Sequence, residues 1–511
     1  MVEICAFVAT GYHGQIVKVE VDMRRGLPGA EIIGLPDSAV KEAKERVRVA
    51  IKNSGHEFPR ERLLINLTPA SIKKEGSTFD LAIAIAILYH SEQIAISNWS
   101  GSLLILGELE LSGRVRGVRG ALSAVAQSIN HDIRYAILPI ENIHEAQEVQ
   151  SIEIWPVSSL QEAMEALIAI SHQEKPPKNV NQSSPNLPNY PFDMADLKGQ
   201  PTVKRLLEIA ASGRHHFLLF GPPGCGKTLS CKILESISPP LSFEESLEVS
   251  QIYSLKNELH QGLIHYPPFR MPHHSASSEG IIGGGKQILP GEISLAHQGV
   301  LFLDETPEFG KHLLQTLREP LENRRISIAR AGLNSWYPAD FQLAMSANVC
   351  PCGALGRSDR TCLCSPAQIA KYWKRMGAAI LDRIDMRLAV QPVAPEELLA
   401  ERSESSQEVR ARVIATRQRQ KERYQHESIT TNAQLQGELL EKYCHLEEAD
   451  QAIFFKIMQK LSLSARAGHS ILRVARTIAD MTSSPNIAKE HLLEAASYRR
   501  YGDQDLYWID I

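Results

Sequence analysis

The chain lacks a strong charge of either sign. Its 55 Lys and Arg stand against 59 Asp and Glu, a formal net charge of −4. Bulk charge therefore advertises neither nucleic acid nor an anionic membrane, although a local basic stripe on a near-neutral protein stays compatible with DNA. Long apolar runs are also missing. The longest, Leu81-Ala-Ile-Ala-Ile-Ala-Ile-Leu88, falls far short of the roughly 18–20 residues that span a bilayer. The opening Met1-Val-Glu-Ile-Cys-Ala-Phe7 has no basic n-region and no cleavage pattern, so the expectation is a cytoplasmic protein with no membrane partner. Cysteine is scarce except at one place, where four of the eight fall within fifteen positions. In a reducing compartment such clustering favours a metal over disulfides.

One stretch organises the rest. Gly221-Pro222-Pro223-Gly224-Cys225-Gly226-Lys227-Thr228 fits G-x-x-x-x-G-K-[ST] without mismatch. The apolar Phe217–Phe220 precedes it, and Leu229–Ile237 follows with helical spacing, giving strand, loop, helix. Backbone N–H groups of such a loop converge on phosphates, at the positive end of the following helix. Lys227 would reach the β- and γ-phosphates of ATP, and Thr228 would hold Mg²⁺ through its hydroxyl. Gly299-Val-Leu-Phe-Leu-Asp304-Glu305 is an apolar strand ending in two carboxylates. Asp304 there can bind Mg²⁺, and Glu305 can orient or deprotonate an attacking water.

Cys350-Pro-Cys352 and Cys362-Leu-Cys364 are separated by nine residues that include two glycines. Four thiolates can meet around a structural Zn²⁺ and hold a loop too small for its own core, though C-x-C is tighter than the usual ligand spacing. Strand-like and helical segments alternate over residues 1–172. Gln15–Asp22 alternates at period two, Asp37–Ser54 is an amphipathic helix capped by Asp37 or Ser38, and Asp80–His90 is a helix apolar on most faces. The stretch 173–191, rich in Pro, Asn and Ser, is a linker. Residues 192–390 form an ATPase core and 391–511 a helical region, opened by one long charged helix, Pro395–Gln425, with Leu398, Leu399, Val409, Val413 and Ile414 as its inner face.

Gly34-Leu-Pro-Asp37, Asn66-Leu-Thr-Pro-Ala70, Lys73–Asp80 and Gly107–Gly113, with Tyr266–His274, Gly283-Gly-Gly285, Pro290–His297 and the Cys-Pro-Cys-Gly that ends at Gly353, closely resemble the magnesium-chelatase-like AAA+ ATPases, in the branch called the YifB family. The resemblance covers nearly the whole chain outside the linker. It implies an α/β protein. Its parts would be an N-terminal Lon-protease-like (S5-like) domain, an AAA+ P-loop core with helix-2 and pre-sensor-1 inserts, and a C-terminal α-helical lid. In the N-terminal domain Thr78 falls near the position of a Lon serine and Leu122 near that of its lysine, so no peptidase activity is expected.

The same resemblance makes Asn348 a sensor 1 residue and Arg383, in Leu381-Asp-Arg-Ile-Asp385, an arginine finger acting in trans. Arg473 becomes a sensor 2 residue contacting nucleotide in its own subunit. Lys286, Arg324, Arg325 and Arg330 are candidate DNA-phosphate contacts and Trp336 a candidate base-stacking residue, against the plain alternative of solvated hairpin side chains. The implied function is a homo-oligomeric, hexameric, ATP-dependent DNA motor. It would act on single-stranded and branched DNA, driving branch migration in homologous recombination and natural transformation, with a recombinase as functional partner. A chelatase motor subunit and a protein-remodelling ATPase are the alternatives.

Overall fold

The computed structural model describes residues 2–96, 99–149, 151–177, 188–259, 262–285, 288–330, 333–357, 359–398 and 404–499. The amino-terminal region is built on a seven-stranded mixed sheet. Its order is Gly29–Ile33, Arg62–Thr68, Gln15–Arg24, Val2–Val8, Gly101–Ile105, Tyr135–Pro139, Glu153–Val157. The alternation in Gln15–Arg24 is realised in full: Val17, Val19 and Val21 are buried, while Lys18, Glu20 and Asp22 face water. Helix Asp80–His90 is buried from Asp80 to Leu88. It can be apolar all round because the sheet covers one side and helices Ser38–Asn53 and Leu160–Ser171 cover others. Asp80, the one charge it buries, is gripped by Arg46 through Nε at 2.9 Å and Nη2 at 3.0 Å. Asp37 caps Ser38–Asn53 by accepting from Val40 N.

The second sheet has five strands, all parallel, in the order Phe269–Arg270, Val300–Leu303, Gln342–Ala347, Phe217–Phe220, Met386–Ala389. Strands Val300–Leu303 and Phe217–Phe220 are wholly buried, as continuous apolar runs in a parallel sheet must be. Parallel pairing brings every carboxyl end to one edge, where the loops after Phe220, Leu303 and Ala347 converge.

Two hairpins leave this sheet. Gly283–Gly284 pairs with Leu289–Pro290, and Arg325–Arg330 pairs with Leu333–Pro338. The second joins the two sheets' domains: Trp336 lies with its ring centroid 5.7 Å from that of Tyr12 and 5.1 Å from that of His13. Gly11 sits so close to this hairpin that a Cβ would fall 1.7 Å from Ser335 Oγ. A second junction is Gly120 N donating to Ser254 O at 3.2 Å.

The carboxyl-terminal region is helical: Ser406–Arg423, Gly437–Tyr443, Glu448–Lys460, Ala465–Met481 and Lys489–Ser497. The expected long helix from Pro395 to Gln425 is two helices, Pro395–Leu398 and Ser406–Arg423. Ser405 starts the second with a reciprocal capping box to Glu408, a stronger start signal than the charge run that suggested continuity. Val409 and Val413 face inward as expected, whereas Ile414 is 42% exposed and Leu399 lies outside the described residues. Helix Ala465–Met481 buries Ala467, Ile471, Val474, Ala475 and Ile478 against the ATPase-sheet side of the core.

Candidate nucleotide-binding site

The loop Gly221–Gly226 runs from strand Phe217–Phe220 into helix Lys227–Ile237. Gly221 is required by close approach, since a Cβ there would lie 2.3 Å from Val390 O. Gly226 stands at φ 86° and turns the chain into the helix. Lys227 Nζ donates to Gly221 O and Pro222 O, each at 2.8 Å, and to Asn348 Oδ1 at 3.3 Å. Its burial pushes the ammonium below the usual lysine value. Thr228 Oγ1 donates to Asp304 Oδ2 at 2.9 Å. The loop, Asp304 and Asn348 are therefore one constellation at the carboxyl edge of the sheet. Glu305 follows, exposed, with φ 51°.

Ser346 belongs to this constellation and was missed from the sequence. Its hydroxyl bonds Asp304 Oδ1 and accepts from Glu305 N at 3.0 Å, fixing both carboxylate-bearing residues. The available signal was one hydroxyl inside the Gln342–Ala347 strand, whose other residues after Gln342 are apolar. Gln200 ends Asp196–Gln200, the segment that in the resembled family closes over the adenine: from φ 52° its Nε2 donates to Cys225 O at 2.8 Å and Gln391 O at 3.2 Å, tying the loop to the end of strand Met386–Ala389.

Arg383 and Arg473 are not at this edge. Arg473 Nη2 donates to Asp385 Oδ1 at 2.7 Å, and Asp385 in turn bonds His215, two residues before strand Phe217–Phe220 begins. Both arginines thus stand at the amino end of the sheet, about 13 Å from the loop for a four-residue strand. The expectation that Arg473 meets nucleotide in its own subunit is not met in this arrangement, because the parallel sheet separates Asp385 from the loop. Arg383 Nη1 donates to Ala379 O at 2.5 Å and Nη2 pairs with Glu322. Arg476, near Arg473 in sequence, instead braces buried Asp480 at 3.0 Å.

Of the candidate DNA contacts, Arg325 is exposed on its hairpin. Arg324 turns inward and lines a crevice with Arg214, His216 and Asp340. Trp336, 39% exposed, has its ring against Tyr12 and His13. Lys286 and the side chain of Arg330 lie outside the described residues.

The four cysteines do converge. The Sγ atoms of Cys350, Cys352, Cys362 and Cys364 all lie within 4.8 Å of one another. Three pairs are 3.4–3.6 Å apart, near the roughly 3.8 Å that four sulfurs keep around a tetrahedral zinc. The amide of Ala354 draws the Cys352 thiol down to about 6, while burial pushes Cys350 up. The loop rests on the nucleotide site: a Cβ on Gly353 would lie 3.3 Å from Pro223 Cγ and Cδ. In the amino-terminal region Leu122 is fully buried in helix Ala121–Ile129, and Ser77 Oγ donates to Glu108 Oε2 at 2.6 Å.

Parallel sheet, phosphate loop, and acid pair on the strand beyond its neighbour together define a P-loop protein of the AAA+ type. Three family models match along the chain: "Magnesium chelatase, subunit ChlI" over residues 193–398, "Subunit ChlI of Mg-chelatase" over 19–142, and "Magnesium chelatase, subunit ChlI C-terminal" over 403–499. The YifB proteins of Salmonella typhimurium and Escherichia coli are each 42% identical to it, over 96% of this chain and 95% of theirs. Competence protein ComM of Haemophilus influenzae is 39% identical over the same shares. The chain belongs to the magnesium-chelatase-like ComM/YifB family.

Proposed function

We propose that this protein is an ATP-driven motor acting on DNA, and that its catalytic site is completed only between two copies of the chain. The observation that carries the reading is the division of the machinery between opposite ends of one sheet. Lys227, Thr228, Asp304, Glu305 and Asn348 gather at the carboxyl edge, while Arg383 and Arg473 stand at the amino edge. A ring of identical subunits, hexameric on the family resemblance, places one subunit's amino-edge arginines against its neighbour's phosphates. Both arginines then act in trans.

The residues fit their cofactors. Lys227 and the loop amides hold the phosphates of ATP, and Thr228 with Asp304 holds Mg²⁺, which supplies Lewis-acid stabilisation of the transferred phosphoryl group. Glu305, exposed and with its backbone amide held by Ser346, activates water. The four thiolates would hold a structural Zn²⁺, in a loop whose Gly353 lies against Pro223.

DNA is the load. The relative's name, competence protein, supports a competence-related role. On the family resemblance, the hairpin Arg325–Pro338, which carries the exposed Arg325, and the Gly283–Pro290 insert would be the segments that contact a strand in the ring pore. Branch migration in homologous recombination is the reaction this implies, with a recombinase supplying the joint molecule, in the cytoplasm. Residues 1–172 are a Lon-like domain without peptidase activity, 192–390 the AAA+ core, and 391–511 its lid.

The deciding experiment measures ATP hydrolysis with single-stranded DNA, unfolded protein, or a porphyrin and chelatase partner subunits, and strand displacement on a three-strand junction. Stimulation by DNA with movement of the junction supports the reading; stimulation by either other load and not by DNA overturns it. Glu305→Gln is expected to assemble with ATP yet not turn it over.

A further inference from the structure

A cavity of about 420 Å³ opens between helices Arg318–Asn323 and Ala465–Met481, at the amino edge of the ATPase sheet. Glu322, Asn323, Arg466, His469 and Arg473 line it. Arg466 and Arg473 line it, Arg383 is tied to its wall through Glu322, and each of the three is held by a carboxylate of the same chain. Arg473 is bonded to Asp385 at 2.7 Å. Arg466 stands 3.5 Å from Glu322 through Nη2 and 3.5 Å from Asp382 through Nη1. Arg383 pairs with Glu322 through Nη2.

Glu322 is therefore shared: one carboxylate serves two guanidinium groups, with its side chain 48% exposed at the mouth of the cavity. The guanidinium it holds more tightly, Arg383, is only 11% exposed. Arg383 Nε and Arg473 Nε are buried without an acceptor. Buried guanidinium N–H groups without partners carry a desolvation penalty that an incoming anion removes.

We infer that Glu322 is an internal stand-in for the terminal phosphate of a nucleotide carried by a neighbouring copy of this chain, and that Arg466 is a third arginine of the phosphate-receiving face. This rests on the trans arrangement proposed above. The exchange follows from charge. A terminal phosphoryl group offers three oxygens and more negative charge than a carboxylate, so it outcompetes a single half-exposed glutamate for Arg383 and Arg466. Glu322 is then released.

Its position gives the release a consequence. Glu322 lies on the short helix Arg318–Asn323, and the next residue, Arg324 at φ 53°, opens hairpin Arg325–Pro338. Partner exchange at Glu322 thus occurs three residues from the root of the hairpin that would grip DNA. Glu322 is a positioning residue, which keeps Arg383 and Arg466 from engaging until a phosphate arrives and links that arrival to the hairpin.

The test is the dependence of ATP hydrolysis on protein concentration, with ATP and Mg²⁺ saturating. Glu322→Gln keeps the size of the side chain and removes its charge. The expected result is that the concentration giving half-maximal specific activity falls roughly three- to fivefold, the scale of an exposed ion pair. Glu322→Asp is expected to restore the wild-type midpoint. An unchanged midpoint, or a midpoint that rises, overturns the stand-in role. Arg466→Ala mixed with Lys227→Ala is expected to recover hydrolysis that neither variant shows alone; no recovery overturns the role of Arg466. Arg383→Ala mixed with Lys227→Ala is the control. If that pair recovers activity while Glu322→Gln behaves as wild type, the trans site stands and only the stand-in fails. If that pair does not recover, the trans site itself fails.

Discussion

Thr228 Oγ1 and Asp304 Oδ2 meet at 2.9 Å across the top of the sheet, although their strands are separated by Gln342–Ala347. The pair is one oxygen donor and one carboxylate, hard ligands of the kind Mg²⁺ takes beside phosphate oxygens. Asp304→Asn keeps the shape and removes the charge. Hydrolysis is expected to fall about 10–100-fold, with the Mg²⁺ needed for half-maximal rate rising. A Mg²⁺ titration of the variant checks it, and an unchanged titration midpoint would remove Asp304 from the metal site.

The cysteine loop gives a second expectation. Four Sγ atoms within 4.8 Å imply about one zinc per chain, measured by elemental analysis of the purified protein. Because Gly353 lies against Pro223, the loop also supports one wall of the phosphate site. Cys352→Ser is expected to lower zinc content and to weaken binding of a fluorescent ATP analogue together. Zinc loss with wild-type nucleotide affinity would uncouple the two.

How much of this was legible in the sequence follows from range. The phosphate loop and the two carboxylates at the end of Val300–Leu303 are local patterns, readable because each is a few residues with one chemistry. Parallel pairing then brings them together without further information. Ser346 escaped because its role depends on which strand lies beside which, and register is set by the whole sheet. The resemblance makes Arg473 face its own nucleotide, but a motif match fixes a place along the chain and not the end of the sheet that the side chain meets; Asp385 and His215 decide that. Trp336 suggested a base-stacking side chain on an exposed hairpin. Its ring neighbours, Tyr12 and His13, come from more than 300 residues away in the chain, which no local pattern reports.

That last contact is testable by itself. The turn at Gly11 fits under Ser335 with no room for a side chain, and its φ of 65° disfavours one. Gly11→Val is strained by that backbone and has to displace the Ser335 side chain, which loosens the turn against the hairpin. The expected outcome is that the amino-terminal and ATPase parts melt as two calorimetric transitions, displaced by about 1–3 kcal/mol of lost coupling, with ATP binding unchanged. A single transition at the wild-type temperature would mean that the turn does not join the two parts.

Histidine 216 carries a pH expectation. His216 Nδ1 accepts from Leu343 N at 3.0 Å, so the ring is neutral and its proton is on Nε2. Burial lowers its pKa from 6.5 to about 4. Nearby Asp385 and Asp340 pull it up, Arg473 pulls it further down, and burial outweighs them all. The sign follows from proton counting. Between 6.5 and 4 the unfolded chain binds a proton that the native chain refuses, so stability is full above 6.5 and is lost as pH falls through this window. From pH 7 to pH 5 the loss from this one group is about 2 kcal/mol. His216→Asn offers Oδ1 to the same Leu343 amide and does not titrate. Urea unfolding at pH 7 and pH 5 is expected to show a smaller drop for the variant than for the wild type, by about that amount. Equal drops would mean that His216 is already charged, or already solvated, in the native protein.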